Sequence, residues 1–221
     1  MNKLTNVLII EQEPLISYSI EEALRNISVQ NDLFCNMTSV YDYKSALNEL
    51  NSSKHYNLVF LSIDSDNSFN KQSSLTNQVF SLLEKSLKNI QLMILIHECD
   101  NFLIHNLFKT LNPESILLKR DMKFKDLTTA IDRVIQNIPF YSTTILKHLR
   151  IRMSCNISLD KSDQLILYYL SKGVRMKDMS KMVFLSHSAI ESRKRKLKQL
   201  FNAERQQDSF LFEKAREHGF I

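Results

Sequence analysis

Two groups of polar residues stand where chemistry is possible. Glu11 and Glu13 follow an apolar run, Asn6 to Ile10, and Pro14 comes next. Two carboxylates this close can exchange protons or hold a hard cation. Ser62 closes a second apolar run that starts at Leu58, and Asp64 and Asp66 lie just beyond it. Lys119 closes another, Ile116 to Leu118. No nucleophile with a partner base accompanies the carboxylates at a recognisable spacing. A lone histidine near a strand end, as His97 is, is ordinarily structural. Catalysis is therefore not expected. The second group is cationic. Ser171 to Lys198 carries nine basic residues against Asp178 and Glu191. Such a window is either a solvated helix face or a footprint for nucleic acid.

The apolar runs that carry the first group have the length of strands buried on both faces. They are Asn6 to Ile10, Leu58 to Ile63, Leu92 to Ile96 and Ile116 to Leu118, with a weaker one at Leu33 to Met37. Helical stripes lie between and after them. Ile16, Ile20, Ala23, Leu24 and Ile27 form the first, with Pro14 suited to its first turn. Ala46, Leu47 and Leu50 form the second, and Val79, Phe80, Leu83 and Leu87 the third. Ile104, Leu107, Phe108 and Leu111 form the fourth, and Leu127 to Ile138 supplies the fifth. Strands alternating with helices over about 138 residues imply a five-stranded parallel sheet covered on both faces. Such sheets carry their sites at the carboxyl ends of the strands, where Glu11, Ser62, Ile96 and Lys119 fall.

Composition narrows the function classes. The chain has 221 residues, a formal charge of +5 and only two glycines, Gly173 and Gly219. Every glycine-rich phosphate cradle is thereby excluded. Cys35, Cys99 and Cys155 are odd in number and far apart, so reduced thiols are expected rather than a zinc site or a disulfide framework. No apolar run approaches the roughly 20 residues that span a bilayer, and a cytoplasmic protein with no membrane partner and no cofactor is expected. The charge is uneven. Residues 1–149 hold 14 Lys/Arg and 16 Asp/Glu, a net of −2, whereas residues 150–221 hold 15 and 8, a net of +7. A near-neutral N-terminal module followed by a nucleic-acid-binding module is the expectation.

Five such strand–helix units, with acids after the first strand and a lysine after the fifth, resemble response-regulator receiver domains, a flavodoxin-like fold. Glu11-Gln12-Glu13-Pro14 matches the family's acidic segment, and Leu58-Val59-Phe60-Leu61-Ser62 matches the strand that ends in its phosphate-accepting aspartate. Ile96 falls on its Thr/Ser position, and Ile116-Leu117-Leu118-Lys119 matches the strand that ends in its lysine. The resemblance implies Mg²⁺ and aspartyl phosphate. The residues depart from it: Ser62 replaces the acceptor, Gln12 removes a metal ligand, and Ile96 cannot donate a hydrogen bond to a phosphoryl oxygen. Glu11, Gln12, Ser62, Ile96 and Lys119 thus form a degenerate receiver site, a pseudo-receiver without the ordinary phosphorelay. Lys119 either keeps a ligand role or pairs with Glu11 or Glu13 across the top of the sheet. The alternative is a phosphorelay-controlled regulator using Asp64 or Asp66.

From Leu159 the pattern is helical throughout. Leu165, Ile166, Tyr169 and Leu170 share a face, and Gly173 follows at the helix end. Met176, Met179, Met182 and Val183 are expected inward on a short helix. Ser186 then caps a longer helix with Ile190, Leu197, Leu200 and Phe201 on one side and Ser188, Glu191, Ser192, Arg195, Lys198 and Gln199 on the other. This stretch, Leu159 to Ile221, is similar to LuxR-type helix-turn-helix domains. Leu159, Asp163, Ile166, Gly173, Lys177-Asp178-Met179-Ser180, Leu185-Ser186, Ile190, Arg193, Leu197 and Phe201 meet that family's pattern. The resemblance implies that Glu191, Ser192 and Arg195 face the major groove, with Lys194 and Lys198 near phosphates. Ser186 and Ser188 would offer hydroxyls and backbone N–H groups to a phosphate. Arginine grips guanine; Glu191 either accepts from cytosine or pairs with Arg195 at i+4. Phe210, Leu211 and Ala215 serve either core closure or, as preferred here, a dimer seam.

These readings combine into a two-domain, non-enzymatic transcription regulator. Residues 1–138 form the receiver-like domain, 139–157 a linker with a short helix across Thr144 to Arg150, and 158–221 the helix-turn-helix domain. Double-stranded DNA is the expected partner, bound as a homodimer, with a regulatory protein partner for the first domain. A protein-interaction adaptor that has lost DNA binding is the remaining alternative.

Overall fold

A computed structural model describes residues 4–63, 74–86 and 90–221. Asp64 and Asp66 lie outside them. The chain divides into two compact units. The first runs to Cys99 and continues over Leu103–Ile145; the second is Asp100–Phe102 together with Leu146–Ile221.

The first unit alternates β1 (Leu4–Ile10), α1 (Pro14–Asn31), β2 (Phe34–Val40), α2 (Tyr43–Leu50), β3 (Leu58–Ile63), α3 (Ser74–Ser86), β4 (Gln91–Ile96), α4 (Asn101–Thr110), β5 (Ser115–Leu118), α5 (Phe124–Ile135) and β6 (Phe140–Tyr141). The sheet is parallel throughout, in the order β2-β1-β3-β4-β5-β6. This is the flavodoxin-like receiver topology with one strand beyond the five expected. β6 pairs Phe140 with Ser115 and Tyr141 with Ile116. Two residues are too few to show an alternation, so the sequence hides this strand.

The central strands β3, β4 and β5 are buried on both faces because most of their positions are apolar, whereas edge strand β2 stays partly exposed. Val7, Ile9, Phe60, Met93, Leu95 and Leu117 pack under α1 and α5 through Ile20, Leu24, Leu127 and Ile131. The alternate positions Leu8, Ile10, Leu61 and Ile94 are equally buried on the opposite face. Strand order reverses between β1 and β3, which opens a crevice at their carboxyl ends. Glu11 and Ser62 stand there, and Lys119 follows β5.

α6 (Thr143–Met153) comes next, longer than the helix expected within 139–157. The second unit holds α7 (Lys161–Ser171), α8 (Met176–Val183), α9 (His187–Leu200) and α10 (Asp208–Glu217). Ile166, Leu167, Met179, Val183, Ile190 and Leu197 form its centre. Two expectations change here. Met182 is 42% exposed rather than inward, and Leu211 and Ala215 are fully buried, so α10 uses them for core closure rather than for a dimer seam. No helix among the described residues is long and apolar enough to cross a membrane.

Both glycines end helices. Gly173 has φ +74, Val174 N–H donates to the Tyr169 carbonyl at 3.0 Å, and Gly173 N–H donates to Leu170 at 3.0 Å. Gly219 repeats this after α10, with Phe220 donating to Ala215 at 2.9 Å. These are Schellman closures, which need a left-handed residue. A Cβ at Gly173 would meet no atom within 4 Å, so the cost of adding one is backbone strain alone. Gly173→Ala is expected to lower unfolding stability by about 1 kcal/mol, and Gly173→Asn by less, in urea denaturation.

Candidate functional site

At the sheet crevice, Glu11 is completely buried and Lys119 is 5% exposed in its side chain. Glu11 Oε1 accepts from Lys119 Nζ at 3.0 Å and from the backbone N–H of Glu13 at 2.9 Å. Lys119 Nζ also donates to Glu13 Oε1 at 2.7 Å. Of the two roles open to Lys119, the structure has the pairing, and with both acids. Among the described residues, Glu11 Oε2 and Ser62 Oγ have no hydrogen-bond partner. The Ser62 carbonyl accepts from Tyr43 Oη at 3.0 Å. Ile96 is fully buried and Gln12 is exposed.

The Mg²⁺ that the resemblance to receiver domains implies does not fit these residues. The ion needs several hard anionic oxygens. Here Glu11 and Glu13 already hold an ammonium, Gln12 and Ser62 supply no anionic oxygen, and Ile96 supplies no donor atom. The chemistry left is electrostatic. One lysine balances a carboxylate drawn fully out of water, a desolvation that costs several kcal/mol unless matched.

In the second unit a second buried carboxylate organises the helices. Asp160 caps α7 by accepting from Asp163 N–H at 2.8 Å. Asp163 is completely buried beneath α9. Its Oδ1 takes Arg193 Nη1 at 2.6 Å and its Oδ2 takes Lys196 Nζ at 3.0 Å. Arg193 also reaches Asp160 Oδ2 at 2.7 Å. Sequence reading matched Asp163 and Arg193 to a pattern but did not see this clamp. Its signal was an acid set among the apolar positions of α7.

The caps and clamp fix which face of α9 is free. Ser186 caps the helix, accepting from Ala189 N–H at 3.2 Å, and its Oγ lies 3.1 Å from Ser188 Oγ. Ser188, Ser192, Arg195 and Gln199 form an exposed stripe at helical spacing, and Glu191 flanks it. Arg195 and Glu191 make no ion pair among the described residues, so the i+4 pairing is not formed. Lys194 and Lys198 turn aside. Lys194 Nζ meets Asp208 Oδ2 at 2.5 Å, and Lys198 Nζ meets Asp208 Oδ1 at 2.9 Å and the Gln206 carbonyl at 2.8 Å. Burial works to raise the Asp208 carboxyl, but the hydrogen bonds from Lys194 and Lys198 outweigh it and hold it below the ordinary carboxylate value. The arrangement is a polar, hydrogen-bonding helix face whose one guanidinium, that of Arg195, makes no ion pair among the described residues, on the second of two helices joined by a tight turn. This is the geometry that enters a major groove.

No known protein-family model matches the chain, and no curated protein does. Solved structures do. One, of two RcsB dimers bound to two parallel DNAs, is 16% identical with a TM-score of 0.60 over 98% of this chain and 99% of that one. RcsB from Salmonella enterica serovar Typhimurium, bound to a promoter in the presence of a phosphomimetic, is 15% identical with a TM-score of 0.61 over 96% and 98%. The chain therefore has the fold of the RcsB-type response regulators, a receiver-like domain followed by a helix-turn-helix domain.

Two outcomes are expected. Lys119→Met leaves Glu11 buried without its cation and should destabilise the protein by about 3 kcal/mol; adding Glu11→Gln should recover most of that, read by chemical denaturation. The Asp208 carboxyl lies lower in the folded chain than the unfolded value of 3.8. Its contribution is thus present above that value and lost as pH falls through the folded one. Asp208→Asn should flatten the decline in melting temperature below about pH 4.

Proposed function

We propose that this protein is a DNA-binding transcriptional regulator whose receiver-like domain works without aspartyl phosphorylation. The observation that carries the reading is the free outer face of α9. Ser188, Ser192, Arg195 and Gln199 are exposed there, while the neighbouring cations are held by Asp163 and Asp208. Arg195 would take guanine bidentately, Glu191 would accept from a cytosine amino group, and Ser186 with Ser188 would hold a phosphate at the helix start. The structures of like fold include RcsB dimers on DNA. Binding as a homodimer to two half-sites fits that mode. The protein acts in the cytoplasm, with no catalytic activity of its own and no cofactor. Residues 1–138 receive the regulatory input, through a protein partner, and residues 158–221 bind DNA.

Independence from phosphorylation rests on Lys119. Its ammonium bridges Glu11 and Glu13 at 3.0 and 2.7 Å, and a serine stands at the acceptor position. The two carboxylates that an ion would need are already engaged by one ammonium inside the chain.

Mobility shifts with genomic fragments test the DNA reading. Arg195→Ala is expected to weaken binding at least fivefold, in line with the roughly 1–3 kcal/mol of a bidentate base contact. Affinity should fall steeply with salt. Equal binding by wild type and variant sinks the assignment of α9, and no binding at all favours an adaptor. Incubation with a small-molecule phosphoryl donor and Mg²⁺ should leave the intact mass unchanged. A mass gain abolished by Asp64→Ala or Asp66→Ala would overturn the pseudo-receiver reading.

A further inference from the structure

The turn between α8 and α9 contains a residue that folding does not ask for. Phe184 is 90% exposed, and its backbone is left-handed, with φ 54 and ψ 40. The left-handed region brings Cβ close to the following carbonyl, so residues other than glycine, asparagine and aspartate are poorly suited to it. Elsewhere among the described residues the chain follows that rule. Its other positive-φ positions are Asp32, Asn112, Asn137, Asn202, Gly173 and Gly219. At position 184 alone it places a large aromatic ring. The ring contributes no core packing, because almost all of it faces solvent. It therefore carries two costs, backbone strain and hydrated apolar surface, and relieves neither within its own domain.

Its surroundings say what covers it. Lys177 and Lys181 precede Phe184 at i−7 and i−3 on α8; both are exposed and make no ion pair among the described residues. Two residues beyond Phe184 stands Ser186, the cap of α9, with Ser188 two residues further on. Along the chain Phe184 thus lies between two exposed lysines that make no ion pair among the described residues and the electropositive start of a helix. All of these select a polyanion. The surface also runs directly into the exposed stripe of α9, whose first residues approach base edges when such a helix lies in the groove.

We infer that Phe184 is an apolar DNA contact: its ring packs on a deoxyribose, or on a thymine methyl, at the groove edge beside the phosphate held by Ser186 and Ser188, with Lys177 and Lys181 on the neighbouring phosphates. The inference rests on the DNA-binding reading and adds a contact that polar residues cannot supply. An aromatic ring on sugar or methyl gains affinity by excluding water. It neutralises no phosphate, so it leaves the salt dependence untouched.

Phe184→Asn separates this role from a structural one because stability and binding move in opposite directions. Asparagine tolerates the left-handed conformation, so the melting temperature of the full chain should rise by a few degrees. Affinity for a random-sequence duplex pool of about 30 base pairs, at roughly 50 mM salt, should fall about tenfold. The slope of affinity against salt should stay that of wild type, whereas Lys181→Gln should make it shallower by about one. Unchanged affinity in Phe184→Asn while wild type binds the pool overturns the inference alone and leaves the ring to a protein partner. A fall in melting temperature together with the fall in affinity also overturns it, since the ring would then be structural. A wild-type chain that binds no duplex overturns the DNA reading and this inference together.

Discussion

A carboxylate that leaves water must be met by a cation or by hydrogen-bond donors, or the fold that buries it does not hold. Both units of this protein are arranged around that constraint. In the first, Glu11 sits at the end of β1 with no solvent exposure, and its match comes from Lys119, 108 residues later in the chain. In the second, Asp163 is equally buried, and its match comes from Arg193 and Lys196 on α9. Each buried acid therefore fixes a long-range geometry. Glu11 ties the top of β1 to the end of β5 across the sheet. Asp163 sets the rotation of α9 about its own axis, and so decides which side chains α9 can offer to a ligand.

The same logic governs the ends of the helices. A chain with two glycines still has to close its helices, and each closure wants a left-handed residue. Gly173 and Gly219 close α7 and α10, while Asn202 closes α9, with Ala203 N–H donating to the Lys198 carbonyl at 2.7 Å. Asn137 does the same after α5, where Ile138 N–H donates to the Arg133 carbonyl at 2.9 Å. Asparagine tolerates this conformation because its short polar side chain bonds locally. The glycine shortage is thus a substitution of one turn chemistry for another, and it makes the phenylalanine after α8 conspicuous.

Much of this was legible in the residues alone. The strands of the first unit could be read because a parallel sheet buries both faces and leaves continuous apolar runs. The approach of Lys119 to Glu11 could be read because carboxyl ends of parallel strands converge on one edge. β6 could not, being two residues long. Met182 was misjudged because a stripe of methionines at helical spacing looks inward on so short a helix, and only the packing of α8 shows that Met179 and Val183 suffice. The partners of Lys194 and Lys198 were hidden for a different reason. Position on a helical wheel says that a side chain is off the core, but not whether another helix begins beside it. Asp208, first residue of α10, decides that.

This bears on what the basic charge of the second unit means. The net of +7 in residues 150–221 invites the view that α9 is the cationic element that holds DNA. Yet Arg193, Lys194, Lys196 and Lys198 all meet aspartates within their own domain. Four of the five cations on α9 thus go to fixing the helix in place. Among the described residues, the exposed basic side chains around the turn that make no ion pair are Arg175, Lys177 and Lys181, in and before α8, and Arg195 on α9. On the proposed DNA-binding reading, phosphate attraction would rest mainly with the first helix of the pair, which in such a geometry crosses the backbone. α9 is left with a stripe of hydroxyls, an amide and one guanidinium, groups that tell one base from another better than they hold a backbone. The division of labour follows from where the aspartates fall, and a count of lysines and arginines along the chain would have assigned it the other way round.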